Sequence, residues 1–464
     1  MSDPRTLAIL GAGPAGLGAA LEAARRKLGR VVVLEQQAVP GGNAGSFDLE
    51  GIHADYGSHR LHPSCNPRIL ADLQSLLGND LLRRPRHGRI LLRKHWIHFP
   101  LRPLDLLLRL PKSFLAGSAA DVVRKRFASK PSEETFASVL EAGLGRTICR
   151  DFYFPYARKL WGLDPKELSP IQARRRVSAN TPGRMIAKVL KRSGFSFFYY
   201  PRRGYGQISE RLCQAATDAG AEFLFGSRVA AIQHNGRAVS RVQFEQSGAI
   251  DCDFAFSTLP MNLLAQRMCP APPGDILEAT SGMSFRGMIL IYLVLEQQQF
   301  SEYDAHYFPE EIIPISRMSE PKNYGDSTEP RGVTVLCAEL PCDTQSKWWG
   351  MNDSELGQVV RDSLVTAGIP IRAPVRKVMT RRLAHAYPIY RRGFEIGVAK
   401  VDEWLGTFRN LVTFGRQGLF AHDNTHHGLY MAYCAIDCLN DRVEFDGDRW
   451  RAYRQEFESH VVED

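Results

Sequence analysis

The chain has 464 residues, with 59 basic and 50 acidic side chains and a formal charge of +9. Its 44% hydrophobic and 23% charged content excludes a disordered or fibrous polymer. No apolar run reaches the roughly 18 residues that a membrane-spanning helix needs. The positive charge is too weak to argue for a nucleic-acid partner, although it is compatible with an anionic small molecule. The nine cysteines are scattered, with no CxxC pair and no Cys/His cluster. The expectation is therefore reduced thiols in a cytoplasmic setting, and no metal site. The first strand begins near residue 6, which leaves no room for a cleaved secretory leader.

Residues 6–10 read as a buried strand, followed directly by a glycine turn containing Gly11, Gly13 and Gly16. Pro14 and Ala15 open an Ala- and Leu-rich stretch that favours a helix to about residue 27. A second apolar strand at 31–34 ends at Glu35, with Gln36 beside it. This order of strand, glycine turn, helix, strand and acid is a dinucleotide-binding βαβ unit. Gly11 serves the tight turn, Gly13 lets the backbone approach a pyrophosphate, and Gly16 lets the helix pack on the strand. Free amides at the helix start favour phosphate. Glu35 suits ribose hydroxyls and disfavours a 2′-phosphate. The pair Gly41 and Gly42, followed by Asn43, extends the groove toward a flavin, and residues 51–62 add Gly57, Ser58, His59, Arg60 and His62 beyond it.

On these residues the chain resembles the flavin amine-oxidase superfamily, which includes protoporphyrinogen oxidase-like proteins and UDP-galactopyranose mutase. Asn43 in place of the usual arginine, with Tyr56, Gly57, His59 and His62, is similar to the mutase branch. The resemblance implies non-covalent FAD, with Gly57, Ser58 and His59 passing near the isoalloxazine ring. No cysteine sits in the family's covalent attachment pattern.

Farther along, residues 83–94 are basic with a strand at 90–92. Residues 96–111 are apolar, broken by prolines and flanked by arginines. A short helix packed in a substrate domain is favoured there over an interfacial membrane element. Residues 132–150 read as helical with an acidic first turn. The block 156–169 contains Trp161 and is similar to a superfamily motif. Arg174, Arg175 and Arg176 follow on a basic helix, where the mutase branch supplies a diphosphate contact. Residues 198–206 resemble the chain's return to the FAD domain, ahead of a helix at 207–219 and a strand near 221–226. Val229 is then implied as an adenine contact, and strands follow at 239–244 and 254–257. Alternating stretches between 263 and 405 predict a mostly antiparallel layer, carrying Arg317 in a block shared with mutase-like flavoproteins. The strand from 410 runs into Gly415 and Arg416. A helix beginning near Thr425, His426 and His427 is implied to face the flavin pyrimidine edge, where its dipole would stabilise an anionic ring.

The expected fold class is α/β, with a Rossmann-like, GR2-type FAD-binding domain and a mixed α+β substrate domain. Residues 1–95, 200–265 and 400–464 are assigned to the first and 96–199 and 266–399 to the second. The expected activity is oxidation or reduction of a small organic substrate by hydride transfer at flavin N5, with an anionic substrate compatible with the basic charge. His59, Arg60 and His62 are the candidates near the reacting edge, and Trp161, Arg174, Arg317 and Tyr387 are the candidate substrate contacts. The competing reading is non-redox chemistry on a nucleotide sugar. It is weakened by Phe420, at a position where a mutase presents a tyrosine hydroxyl.

Overall fold

The computed structural model describes residues 5–124, 133–176, 197–245 and 248–462. The strand Thr6–Leu10 lies at the centre of a five-stranded parallel sheet in the order Leu411–Thr413, Phe254–Ser257, Thr6–Leu10, Arg30–Leu34 and Glu222–Leu224. Its strands read as unbroken apolar runs because both faces are covered: Leu7 to Leu10 and Val31 to Leu34 are all at most 1% exposed. The helix Pro14–Arg25 crosses one face beside Gln207–Asp218 and Thr425–Asp437. A Cβ at Gly18 would come within 3.0 Å of Leu429 and 3.2 Å of Ala432, so the missing side chain lets the first and last of these helices approach.

A four-stranded sheet, Gly248–Asp251, Val239–Phe244, Val229–His234 and Met268–Cys269, joins the parallel sheet's other face through the cluster of Leu10, Leu34, Ile232 and Val242. The strands expected at 239–244 and 254–257 occur at those positions.

The antiparallel layer is a seven-stranded sheet ordered Val375–Pro388, Phe285–Leu295, Thr334–Cys342, Arg317–Ser319, Ala305–Tyr307, Gly88–Leu92 and His95–Phe99. The pair Ala305–Tyr307 and Gly88–Leu92 is parallel. The hairpin formed by Gly88–Leu92 and His95–Phe99 straddles position 95. Strand Phe285–Leu295 shows how one run of residues serves two cores. Ile289, Ile291, Leu293 and Leu295 face Leu356, Val360 and Leu364 of the helix Asp353–Thr366. Met288, Leu290, Tyr292 and Val294 face the hairpin Ser46–Leu49 and Ile52–Asp55.

The expected helix over 132–150 resolves into Phe136–Leu144, capped by Thr135, then Arg146–Ile148 and a wide turn at Cys149–Tyr153. Ser132, at its expected head, lies outside the described residues. The short helix expected within residues 96–111 is Pro103–Arg109, which follows the strand His95–Phe99. Among the described residues, no helix is long and apolar enough to cross a membrane.

Candidate flavin and substrate site

Three consequences of the chain path create the site. Strand Thr6–Leu10 ends in the glycine turn, strand Arg30–Leu34 ends at Glu35, and helix Thr425–Asp437 starts beside them. A cavity of about 720 Å³ opens at these ends. Its lining runs from Glu35, Gln36 and Val229, past Gly11, Gly13, Pro14 and Ala15, to Gly42, Asn43, Ser58, His59, Arg60 and His62. Arg317, Tyr387, Gly415, Arg416 and Thr425 complete the sequence-predicted residues that reach it.

The glycine turn fits a pyrophosphate. Gly11 has φ of +105°, the left-handed region that favours glycine. A Cβ on Gly16 would lie 1.8 Å from the Gly11 carbonyl oxygen, whereas one on Gly13 would meet nothing within 4 Å. Gly16 is therefore demanded by packing behind the cavity, and Gly13 is the position open to it. Glu35 is buried, and its two oxygens accept the Ala12 N–H at 2.7 Å and the Gln37 N–H at 2.8 Å. Burial pushes its pKa up, against those backbone hydrogen bonds. A carboxylate has further lone pairs, so a ribose hydroxyl can still be bound.

At the other end, His59 Nε2 lies 2.9 Å from the Tyr56 carbonyl, and the ring stacks on Tyr205. Burial lowers its pKa, so the ring is held neutral with its Nε2–H donated to the carbonyl. Arg60 is packed over the Phe198 and Tyr324 rings, pairs with Asp304 at 3.1 Å and donates to Tyr307 and Tyr324. Burial opposes its charge, but Tyr324, Asp304 and Tyr307 together raise its pKa. Arg317 donates twice to Glu339, which also accepts the Ser58 main-chain N–H.

A cationic corner surrounds Tyr387. The Arg176 and Arg416 guanidiniums lie 5.1 and 4.9 Å from its ring centroid. Burial pushes the Arg416 pKa down, Tyr387 partly offsets this, and Arg176 adds repulsion. His422 accepts from Arg176 at 3.1 Å, and burial with the charges of Arg176, Arg416 and Arg175 keeps it neutral. Among the described residues, the Nε atoms of Arg176 and Arg416 are buried without a hydrogen-bond partner. Two close, partly unsatisfied cations at an open cavity form an environment that an anion relieves.

Some expected residues lie elsewhere. Arg174 turns outward, pairs with Glu134 and is 52% exposed, so from the basic helix Pro170–Arg176 it is Arg176 that enters the cavity. Trp161 is buried against Phe136 and 6.4 Å from His422, behind the lining. Gly57 (φ +102°) bends the chain next to Ser58. His426 is buried behind Thr425, and burial holds its pKa down at about 2. Phe420 is 1% exposed among Phe285, Tyr390 and Phe394. Its lack of a hydroxyl therefore reflects packing and does not bear on a phosphate contact.

Other lining residues were not singled out in the sequence, among them Arg381, His385 and Asp423. Arg381 covers the Tyr56 ring at 3.6 Å. The carboxylate of Asp423 and the Nδ1 atoms of His427 and His460 lie within 4.8 Å of one another, near enough for a three-ligand cation site. The Asn424 main-chain N–H already donates to His427 Nδ1, so His427 also belongs to the helix cap.

Comparison with known proteins agrees with this geometry. The chain is 26% identical over 324 residues to the phytoene dehydrogenase of Streptomyces griseus, a match covering 59% of this chain and 58% of that protein. The chain thus spans little more than half the length of that curated relative. The structure is similar to that of reduced UDP-galactopyranose mutase, with a TM-score of 0.82 and 20% identity over 99% of this chain and 100% of the other. Cyclohexylamine oxidase from Brevibacterium oxydans gives a TM-score of 0.66 with 18% identity, over 94% and 98% of the two chains. These likenesses establish the fold of GR2-type flavoproteins. Residues 14–427 match the family described as flavin containing amine oxidoreductase. With its nucleotide turn, its second glycine pair and that match over most of its length, the chain belongs to the flavin-containing amine oxidoreductase family.

Proposed function

We propose that the protein binds FAD non-covalently along this cavity and oxidises or reduces a small anionic substrate. The observation that carries the reading is the open side of Gly13, at the start of the helix Pro14–Arg25, within one continuous lining from Glu35 to Ser58. Glu35 and Gln36 would hold the ribose, with Val229 at the adenine. Gly11, Gly13, Pro14 and Ala15 would hold the diphosphate, and Gly42, Asn43, Ser58, His59, Gly415, Arg416 and Thr425 the flavin end. Bound there, the cofactor supplies hydride transfer at N5.

The chain's own residues do the rest. The N-terminus of Thr425–Asp437 presents main-chain amides to the cavity and favours negative charge there. Neutral His59 and the anchored Arg60 shape the reacting end without adding a mobile proton donor. Arg176, Arg416 and Tyr387 would orient an anionic group of the substrate, and Arg317 would fix the opposite side. The proposed domain division keeps the expected ranges but draws the first boundary ahead of Gly88, since the hairpin to Phe99 belongs to the seven-stranded sheet.

The cationic corner favours one alternative, in which a reduced flavin acts on a nucleotide sugar without net redox change. Anaerobic photoreduction separates the two readings. Bleaching of the oxidised flavin by a substrate, followed by reoxidation by an acceptor, supports oxidoreduction. Turnover of a UDP-hexose only after pre-reduction supports the alternative. A protein that takes up no FAD on reconstitution would falsify both.

A further inference from the structure

The helix Pro103–Arg109 is apolar on both of its faces. Leu106, with Leu110 just beyond the helix, packs inward against the cluster that holds Ile90, Leu92, Ile97 and Tyr307. Leu104, Leu107 and Leu108 are 67%, 62% and 76% exposed. Their i, i+3, i+4 spacing puts them on one side of the helix. A surface helix that faces only water carries polar residues there.

The exposed charges on this stretch of chain are basic. Arg102, Arg109 and Lys112 are exposed, and among the described residues neither Arg102 nor Lys112 has an acidic partner. The acidic side chains between residues 95 and 124 are Asp105 and Asp121, and both turn inward. Asp105 accepts the His98 main-chain N–H and pairs with Arg109, while Asp121 accepts the Thr147 main-chain N–H. The following helix, Lys112–Arg124, carries Val122 and Val123 in its last turn, both also exposed.

We infer that this face seats in the interfacial layer of an anionic phospholipid membrane. Leu104, Leu107 and Leu108 enter the acyl boundary, and Arg102 and Lys112 lie at the headgroup phosphates. Aliphatic side chains rimmed by cations, with the carboxylates turned away, match both layers of such a surface. A protein-binding patch would instead favour aromatic anchors and be depleted in lysine. A helix of seven residues lies on a bilayer and does not span it, so the attachment is peripheral and reversible. The sequence alone favours a short helix packed in the substrate domain over such an interfacial element.

The test is co-sedimentation of the full, flavin-loaded chain with vesicles of phosphatidylcholine, alone or mixed with phosphatidylglycerol. The protein should pellet with the mixed vesicles and be released by high salt. The double variant Leu107→Asp, Leu108→Asp should keep its flavin content and circular dichroism and lose roughly tenfold or more of its partitioning. Arg102→Gln with Lys112→Gln should remove the preference for anionic lipid. No pelleting of the parent protein, or equal pelleting of the leucine variant, overturns the inference. So does a parent dimer that the leucine substitutions turn into a monomer without any vesicle binding, because a second copy would then cover the face.

Discussion

Ser58 donates its main-chain N–H to Glu339 Oε1 at 2.8 Å, although the two residues stand 281 positions apart. The same carboxylate grips Arg317 through two hydrogen bonds of 3.0 Å. One acidic side chain on the seven-stranded sheet thus ties the Gly57–His59 bend to a cation on the cavity's substrate side. Glu339→Ala should remove about 3–5 kcal/mol of stability, as expected when one partner of a buried pair is lost. Urea unfolding measures this directly, and a change below about 1 kcal/mol would mean that the pair behaves as a surface contact.

The two glycines of the turn should fail in different ways. Gly13→Val should give a folded protein, by circular dichroism, that retains almost no flavin, because its side chain projects only into the cavity. Gly16→Val drives a Cβ into the Gly11 carbonyl and should destabilise the fold itself. Equal flavin content in the Gly13 variant and the parent would remove the diphosphate assignment.

Arg176→Met should leave flavin content unchanged and raise KM. Losing a charge-assisted contact is worth about 1.5–3 kcal/mol, hence roughly 10- to 100-fold. Arg174→Met serves as the control, since its partner is the exposed Glu134, and it should leave KM where it was. If the two variants behave alike, Arg176 does not orient the substrate.

Asp55 carries a pH dependence of stability. It accepts hydrogen bonds from Ser46, Tyr200 and the Tyr205 main chain, yet full burial pushes its pKa up to about 6. The native state therefore holds this proton more tightly than the unfolded state does. The resulting stability is present below about pH 4 and is lost as pH rises to about 6, a span of about 3 kcal/mol. The difference in unfolding free energy between the parent and Asp55→Asn, followed across that range, should fall by this order. A flat difference would show that Asp55 ionises as an ordinary carboxylate.

The legible parts of the sequence were those whose physics is local. A strand, a glycine turn and a helix occupy consecutive residues, so Thr6–Leu10 and Pro14–Arg25 could be read directly, and the same holds for the helix that starts at Thr425. The choice between Arg174 and Arg176 was not local. Both sit on one short helix, and only the neighbouring Tyr387 and His422, more than 200 residues later, define which side faces inward. Arg381 was hidden for a similar reason: a charged residue in a strand reads as solvent-facing until the ring of Tyr56 is seen beneath it. Phe420 misled in the opposite direction, because an aromatic residue after a glycine turn can point to the core as readily as to a ligand.

The strand order of the parallel sheet also bears on how the chain is made. Thr6–Leu10 gains one neighbour within about two dozen residues, at Arg30–Leu34, but its other neighbour is Phe254–Ser257. At ribosomal rates of about 5–20 residues per second, the first pair waits roughly 10–50 s for that edge to be covered. The helix Pro14–Arg25 waits longer still for Thr425–Asp437. During synthesis the glycine turn therefore sits on a half-built sheet with an open apolar edge, the situation in which nascent chains depend on chaperones and aggregate when overproduced.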